Sequence, residues 1–314
     1  MDKANKSSRP DGLVVWRILD EKAGHEAQSA GLVAALGRLC SVDCHDLPAL
    51  GGRDALFRFL SGSFAEGSKL PDPDLLIGAG HRTHMTLLAA RRGRGGRAVV
   101  LMKPSLPTCW FDLCLIPEHD RPAGAGNIFP TQGVLNTIHA SPDASIKRGL
   151  ILLGGPSAHY RWNREDLLAQ LRGVVRADPT VHWILTTSRR TPEATEAGLL
   201  GLEERNLEVV PFAQTEPGWV AARLQECGLV WVSEDSVSMV YEALTAGARV
   251  GLLKVPKEGN GSRVALGVLS LIESQRVTPF AQPVPDLGSL SAQPALFDEA
   301  DRCARHILSI LSDD

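Results

Sequence analysis

The sequence predicts an α/β protein with two Rossmann-like domains, and three observations support this prediction. Short apolar strand candidates alternate with amphipathic helix candidates, which is the pattern of a parallel sheet covered on both faces. This series restarts after a region rich in Pro and Gly at residues 117–145. The chain has 314 residues, of which 44% are hydrophobic, so it is long enough for two domains of ordinary size.

The first half of the chain has strand candidates at both ends of a longer irregular region. A strand at 13–19 is followed by a helix from about Glu26 to Leu39, whose apolar residues recur at helical spacing. Residues 46–73 are rich in Gly, Pro and Ser and are predicted to form an irregular connection with one helix at 53–60. The other predicted elements are strands at 74–77, 98–102 and 111–116 and a helix that ends near Arg92.

The second half repeats the series and predicts a second domain. Its strand candidates lie at 148–153, 181–185, 207–210, 229–232 and 249–253, and its helix candidates include 164–175 and 192–200. Residues 277–295 are rich in Pro and are predicted to cross the surface, whereas the amphipathic stretch 295–311 is predicted to pack as a helix against one domain. The predicted organisation is a disordered tail at 1–11, an N-terminal domain at 12–145, a C-terminal domain at 146–276, and a linker with a terminal helix at 277–314.

Composition and charge argue against several classes of protein. The formal charge of −3 and the pI near 6.3 give no global basic field of the kind that nucleic-acid binding requires. We find neither an apolar run of the ~20 residues that span a bilayer nor an apolar core for a secretory signal in the first dozen residues, so we expect a soluble, cytoplasmic protein. The six cysteines are expected to be reduced, and only the pairs 40/44 and 109/114 are candidates for a structural metal.

The stretch from Val230 to Val250 is the most informative part of the sequence. An apolar strand signal stops at Ser233, a short polar loop follows, and a helix pattern then begins whose first turns carry polar residues. The N-terminus of a helix offers unpaired N–H groups and partial positive charge to phosphate oxygens. Hydroxyl groups at Ser236 and Ser238 add donors, and the carboxylate of Glu242 can accept hydrogen bonds from ribose hydroxyls. The alternative interpretation is an ordinary helix capped by Ser or Asp.

Three further features of the second half are expected at the carboxyl ends of its strands, where open parallel sheets bind ligands. Gly154 and Gly155 follow a strand, and glycine lets a backbone approach a phosphate closely. Residues 186–190 place hydroxyl groups and guanidinium groups after the next strand. Residues 259–263, a turn that opens another helix, complete the set. Each feature alone is also compatible with an ordinary turn or a solvated loop.

The chain resembles the bacterial branch of the mitochondrial fission, or "elongated mitochondria", family, whose members resemble GT-B glycosyltransferases. The resemblance covers about residues 13–275 and includes a Gly-Ala-Gly-His-Arg-Thr motif at 78–83 and a Ser-Glu-Asp-Ser-Val-Ser-Met-Val-Tyr-Glu-Ala motif at 233–243. The other motifs that carry it lie at 20–28, 111–112, 117–120, 154–156 and 186–190. The resemblance implies a GT-B-like fold, with two Rossmann-like domains facing a central cleft and a C-terminal helix packing back.

The resemblance also implies a nucleotide-sugar donor in the C-terminal domain. Such enzymes generally need neither a bound metal nor another cofactor, because helix dipoles and basic side chains stabilise the departing nucleoside diphosphate. Glu242 is expected to meet the ribose of the donor. The residues expected at the pyrophosphate and the rest of the donor are Asp235, Ser236, Ser238 and Met239, followed by Arg189, Thr187, Gly154, Gly155 and Arg263.

For the acceptor, the glycine–histidine turn at Gly24 and His25 resembles that of the peptidoglycan lipid-intermediate glycosyltransferase. A histidine there can remove the proton of an acceptor hydroxyl, since an ordinary imidazole titrates close to neutral pH. Asp20 or Glu21 is the expected orienting group, and packing against the helix start is the alternative role of His25. The rival base is His81, and the further candidates for acceptor binding are His119 and Lys103.

Three classes of function follow from this resemblance. The first is a glycosyltransferase, retaining or inverting, that builds a cell-envelope glycan or glycolipid. The second is an epimerase acting on a nucleotide sugar, and the third is a protein that keeps the fold but serves as a binding or scaffold partner. If the acceptor is lipid-linked, a patch on the N-terminal domain is expected to touch the inner face of the membrane.

Overall fold

The computed structural model describes residues 12–122, 126–258, 263–289 and 297–312, without the side chains of 263–266. The predicted tail at 1–11 and the turn at 259–262 lie outside the described residues, as does the side chain of Arg263. The described chain divides into two compact units. Unit 1 comprises the residues up to Thr137 together with those from Glu299 onward, and unit 2 is Ile138–Asp298.

Twelve strands and nine α-helices are found within the described ranges. The strands are β1 (Leu13–Leu19), β2 (Val42–Pro48), β3 (Leu75–Ala79), β4 (Arg97–Leu101), β5 (Leu113–Pro117), β6 (Ile128–Thr131), β7 (Ser145–Leu152), β8 (His182–Thr186), β9 (Leu207–Val210), β10 (Cys227–Ser233), β11 (Arg249–Leu253) and β12 (Val277–Pro279). The helices are α1 (Ala23–Leu39), α2 (Gly52–Ser61), α3 (His84–Arg94), α4 (Arg164–Ala177), α5 (Glu193–Leu200), α6 (Trp219–Glu226), α7 (Val237–Thr245), α8 (Arg263–Glu273) and α9 (Glu299–Ser312).

Unit 1 is built on a parallel sheet in the order β2-β1-β3-β4-β5-β6. The central strands β3 and β5 are buried at every position, which is why they read as uninterrupted apolar runs in the sequence. One face of the sheet packs against α1 and α9, and the other packs against a second cluster that includes Leu87 and Phe64. The predicted packing of the C-terminal helix is confirmed, since α9 contacts α1.

Unit 2 repeats this architecture with the order β12-β11-β10-β7-β8-β9, again with every pair parallel. Its core contains Trp183 and Trp231, which pack over glycines of the neighbouring strands. A Cβ atom at Gly149 or Gly251 would collide with the ring of Trp183 or Trp231, respectively. The prediction of two Rossmann-like α/β sheets is therefore confirmed.

The sequence-based prediction missed three strands that lie at the edges of the sheets. The irregular connection predicted at 46–73 is wrong at its start, because residues 46–48 belong to β2. Strand β6 lies in the region rich in Pro and Gly, and β12 lies at the start of the segment predicted to cross the surface. All three strands have at least one partly or fully exposed face, so they lack the continuous apolar run that identifies a central strand.

No helix in the described ranges is both long enough and apolar enough to cross a membrane.

Candidate active site

Each sheet has one switch point, at which the strand order reverses direction. It lies between β1 and β3 in unit 1 and between β7 and β10 in unit 2. Connections that leave neighbouring strands at a switch point go to opposite faces of the sheet, which opens a crevice at the carboxyl edge. The residues that follow these four strands are therefore the first candidates for ligand binding.

An Asp–His pair occupies the switch point of unit 1. Asp20 follows β1 directly, and its Oδ2 atom lies 2.8 Å from Nδ1 of His25 in the first turn of α1. The Asp20 side chain is fully buried, whereas the His25 side chain is 19% exposed. The backbone N–H of Lys22 donates to Oδ1 of Asp20 at 3.3 Å. The carboxylate thus lies on the buried side of the imidazole, and the imidazole remains partly exposed to solvent.

Gly80, which follows β3, makes room for this pair. Its φ is +83°, and a Cβ atom there would collide with the His25 ring and lie 3.1 Å from Oδ2 of Asp20. Only glycine combines this backbone conformation with the required space. When Nδ1 donates to the carboxylate, Nε2 is the nitrogen that can accept a proton. The arrangement is able to serve as a general base toward a hydroxyl group.

The other predicted residues of unit 1 lie around this pair but make few contacts with it. The Glu21 side chain is 87% exposed and its carboxylate lies 3.8 Å from Arg82. His81 is exposed in the turn before α3. The exposed Lys103 donates from Nζ to the backbone carbonyl of Asp120 at 3.4 Å, which places it beside the turn that carries His119.

A buried carboxylate organises the switch point of unit 2. Oδ2 of Asp235 accepts hydrogen bonds from the backbone N–H of Gly155 at 3.0 Å, the hydroxyl of Ser236 at 3.1 Å and Nη2 of Arg190 at 2.8 Å. The same guanidinium donates to Oγ of Ser236 at 3.0 Å. Oδ1 of Asp235 is buried without a hydrogen-bond partner within the described part of the chain. The network therefore retains one acceptor that a ligand or a water molecule can satisfy.

The two glycines after β7 allow this network to pack closely against them. A Cβ atom at Gly154 would collide with the side chains of Asp235 and Ser236, and one at Gly155 would collide with the backbone of Arg190. The N–H of Gly154 donates to Oγ of Ser233 at 2.8 Å. Both amides are thus used inside the protein, because the loop after β10 packs directly on the loop after β7.

The start of α7 offers donors that the rest of the site does not use. Ser236 precedes the helix without capping it through its side chain. The backbone N–H groups of Val237, Ser238 and Met239 have no partner among the residues that the structure describes. Ser238 is exposed and Met239 is partly exposed. Three open N–H groups at the positive end of a helix can bind an anion, and the Arg190 guanidinium, which donates to Oγ of Ser236, lies beside them.

Glu242 lies one turn further along α7 and carries an unusual carboxyl group. It is four residues after Ser238 and three after Met239, so the three side chains share one face of the helix. Burial raises the pKa of Glu242 to about 7, because a charged carboxylate loses its hydration there. Its carboxyl group makes no hydrogen bond to any described residue. This carboxyl group can bind the hydroxyl groups of a ligand whose anionic part binds at the start of the helix.

The predicted loop at 186–190 contributes through a different arginine than expected. Thr187 donates to Glu196 at 2.9 Å and accepts from the N–H of Phe212 at 2.9 Å, so it holds two loops together. The Arg189 guanidinium stacks over the Phe212 ring at 5.2 Å from its centroid. Arg190 instead enters the network of Asp235. The two arginines are adjacent in a loop. Loop residues have no periodicity, so the sequence does not predict which of the two side chains points inward.

Tyr160 is a second residue that sequence reasoning missed. It is 1% exposed, and its hydroxyl group has no hydrogen-bond partner in the described ranges. Burial and the nearby carboxylates of Glu234 and Asp235 raise its pKa to about 12. A tyrosine in the loop after β7 gives no signal in the sequence, since aromatic residues in such loops usually belong to the core.

Among the described residues, no cluster of three or more His, Cys, Asp or Glu side chains is arranged to hold a metal ion.

Two parallel sheets of Rossmann type, each with its candidate residues at the switch point, define the chain as an α/β protein with a GT-B-like fold. The family model described as mitochondrial fission ELM1 matches residues 23–311. The chain belongs to this family, and the resemblance inferred from its motifs is confirmed.

The chain is also similar to a curated relative and to solved structures. Protein RP120 of Rickettsia prowazekii, described as uncharacterized, is 21% identical over 93% of this chain and 97% of its own length. A Listeria monocytogenes protein assigned as a UDP-N-acetylglucosamine 2-epimerase is 14% identical, with a TM-score of 0.60 over 96% of each chain. The UDP-GlcNAc 2-epimerase of Methanocaldococcus jannaschii is 10% identical, with a TM-score of 0.60 over 96% of this chain and 100% of its own. The likenesses to the two solved structures show the fold.

Proposed function

We propose that this protein is a glycosyltransferase that transfers a sugar from a nucleotide-sugar donor to a glycan or glycolipid of the cell envelope. The observation that carries the proposal is the start of α7, where three open N–H groups lie one turn from the partly buried carboxyl group of Glu242. A nucleoside diphosphate offers what both groups require, an anion for the helix terminus and hydroxyl groups for the carboxyl.

On the donor side, charge stabilisation is the main chemical task. The bond to the sugar breaks as negative charge develops on the nucleoside diphosphate. The N–H groups of α7 and the guanidinium of Arg190 are fixed donors that stabilise this charge without rearranging. Asp235 holds the guanidinium in position, and Ser236 links it to the helix terminus. This set of groups performs the task without requiring a metal ion.

On the acceptor side, His25 is the proposed base. The acceptor hydroxyl becomes a better nucleophile when Nε2 of His25 takes its proton, and Asp20 stabilises the imidazolium that forms. Glu21, Lys103, His119 and His81 are proposed to contribute to acceptor binding around this base.

A turnover experiment separates this proposal from its alternatives. The protein is incubated with a panel of nucleotide sugars, with and without a bacterial envelope lipid extract, and the products are identified by mass spectrometry and NMR. We expect one donor to give free nucleoside diphosphate and a glycosylated component of the extract, both dependent on the protein. Conversion of the nucleotide sugar to an epimer without extract would instead identify an epimerase. Nucleotide binding without any turnover would identify a scaffold.

The two adjacent arginines give a matched pair of variants for the donor site. We expect Arg190→Lys to weaken nucleoside diphosphate binding about 10-fold or more, since a hydrogen bond to a charged group is worth about 1.5–3 kcal/mol. Arg189→Lys serves as the control and is expected to change the affinity less than about threefold, because its guanidinium stacks on Phe212. Calorimetric titration measures both affinities. An equal loss in the two variants contradicts the assigned role of Arg190.

Helix α2 of unit 1 carries a surface that fits the proposed lipid-linked acceptor. Leu56, Phe57 and Leu60 share one face of the helix and are 48%, 65% and 67% exposed. The Arg92 guanidinium lies over the ring of Phe59 at 5.4 Å from its centroid, beside this patch. Exposed apolar side chains next to a cation are suited to the interface of an anionic membrane. We propose that this face of α2 contacts the lipid surface.

Vesicle binding tests this contact. We expect the double variant Phe57→Ser and Leu60→Ser to pellet with vesicles containing phosphatidylglycerol at least about 5-fold less than the unmodified protein, because burial of each side chain is worth about 1.5–3 kcal/mol. Leu200→Ser is the control, since Leu200 is a 59% exposed leucine of unit 2. If the unmodified protein does not pellet, or if the double variant pellets equally well, the contact is refuted.

A further inference from the structure

A cavity of about 690 Å³ opens in unit 2 near the carboxyl ends of β11 and β12. Ligand pockets in proteins commonly have volumes of about 300–1,000 Å³. Residues of α4 and the residues after β10, β11 and β12 line this cavity, and they include Asp166, Gln170, Glu234, Lys254, Lys257 and Phe280. The proposed donor site uses none of these side chains.

The cavity and the start of α7 lie on different sides of the sheet. The connection from β7 through α4 to β8 and the connection from β10 through α7 to β11 proceed in opposite directions along the strand order. Parallel crossovers are right-handed, so two crossovers in opposite directions place their helices on opposite faces. The cavity is lined by α4, which lies on the face of the sheet opposite α7.

Glu234 gives the cavity a carboxyl group with unmet hydrogen-bonding capacity. The residue is only 7% exposed, and its carboxylate accepts no hydrogen bond from the residues that the structure describes. The nearest cation is Nζ of Lys257 at 3.8 Å, which is too far for a direct hydrogen bond. Burial raises the pKa of Glu234, and Lys257 and Lys254 oppose this change. A buried acceptor of this kind is stabilised by a ligand that donates to it.

Two exposed lysines mark the opening of the cavity, and their backbone is held in place. The side chain of Gln170 donates to the carbonyl of Lys254 at 2.9 Å and accepts from its N–H at 2.8 Å. The N–H of Arg161 donates to the carbonyl of Pro256 at 2.8 Å, which ties the loop of Lys257 to the loop after β7. Asp166, the acid at the rim, already accepts a hydrogen bond from Asn163 at 2.6 Å. Asp166 and Glu234 keep their negative charges, and Lys254 and Lys257 supply the positive charges that an anionic group of a ligand can meet.

We propose that this cavity binds a monosaccharide that carries one anionic group, such as a sugar phosphate or a sugar acid. Hydroxyl groups of the sugar donate to Glu234 inside the cavity, and the anionic group meets Lys254 and Lys257 at its opening. Val255 and Phe280 supply an apolar wall for the C–H face of the ring. This inference does not rest on the proposed glycosyl transfer.

Calorimetric titration with four probes tests the proposal. The probes are glucose 6-phosphate, glucuronate, glucose and inorganic phosphate. We expect at least one of the two charged sugars to bind about 10-fold or more tightly than either glucose or phosphate, because only the charged sugars engage both Glu234 and the lysines. We expect the double variant Lys254→Ala and Lys257→Ala, and separately Glu234→Gln, to lose about 10-fold or more in affinity for that sugar.

Lys147→Ala is the matched control, since Lys147 is an exposed lysine of the same unit in the first part of β7. It is expected to leave the affinity unchanged. The proposal is overturned if neither charged sugar binds, if inorganic phosphate binds as tightly as the sugar, or if the lysine variant binds normally. Nucleoside diphosphate binding is measured on the same lysine variant and is expected to persist. If the lysine variant no longer binds the nucleoside diphosphate, the cavity is part of the donor site and the proposal of a separate site is overturned. If the donor proposal itself is wrong, the unmodified protein does not bind nucleotide.

Discussion

His25→Ala is expected to lower the rate of sugar transfer by about 10²–10⁴-fold, which is the usual contribution of a positioned general base. The reason is the pair at the end of β1, where Asp20 lies 2.8 Å from Nδ1 of His25 and leaves Nε2 to accept the acceptor proton. Nucleoside diphosphate affinity is expected to stay close to that of the unmodified protein, since His25 and the donor residues belong to different units. Initial rates of nucleotide release and a calorimetric titration measure the two quantities.

His81→Ala provides the control for this prediction. His81 is exposed in the turn after β3 and has no carboxylate partner like Asp20 among the described residues. We expect a loss of less than about 10-fold, consistent with a role outside the proton transfer itself. Unchanged transfer in His25→Ala together with a large loss in His81→Ala would reassign the base to His81.

Glu242→Gln is expected to weaken nucleoside diphosphate binding and, at the same time, to stabilise the free protein above neutral pH. In the unfolded chain the carboxyl group ionises with a pKa near the ordinary value of 4.5, whereas burial raises the pKa of the folded state to about 7. Between these two values the folded state holds a proton that the unfolded state has released. The stability of the protein therefore falls as pH rises through this window and stays low above it.

The size of this effect follows from the same two values. A difference of this size between folded and unfolded pKa corresponds to a penalty on the order of 3 kcal/mol at pH 8. We expect Glu242→Gln to be about 1–3 kcal/mol more stable than the unmodified protein at pH 8 and about equally stable at pH 4.5. Denaturant unfolding at the two pH values measures the difference. The control is Glu203→Gln, which changes an exposed glutamate of the same unit and is expected to change stability by less than about 0.5 kcal/mol.

The outcome that contradicts the prediction is a variant that is less stable than the unmodified protein at pH 8. It would mean that the carboxyl group contributes to the fold rather than costing stability. A gain in stability together with a loss of nucleotide affinity is the pattern expected of a residue kept for ligand binding.

The central strands can be predicted from the sequence, because a strand that is buried on both faces is a continuous apolar run. The strands β3, β7, β10 and β11 all appeared in this way, and the polar residues after them were recognised as site candidates. The edge strand β2 was missed, since its exposed positions carry Asp and His rather than apolar residues.

Side-chain directions in the loops were not accessible from the sequence. Gly154 and Gly155 were expected to make room for a phosphate, but they make room for Asp235, Ser236 and the backbone of Arg190. The contact between Gly155 and Asp235 joins residues that are 80 positions apart, and no local pattern encodes it. The cavity beside Glu234 was missed for the same reason, because its walls come from α4, β11 and β12 and meet only in the folded chain.

The most direct test of the account is a crystal structure of the protein with the nucleoside diphosphate that stabilises it most in a thermal-shift panel of UDP, GDP, ADP and dTDP. We expect diphosphate oxygens within hydrogen-bonding distance of the backbone N–H groups of Ser238 and Met239. We also expect the ribose hydroxyls to form hydrogen bonds with the carboxyl group of Glu242. A diphosphate bound away from the start of α7, or no stabilisation by any of the four nucleotides, would contradict it.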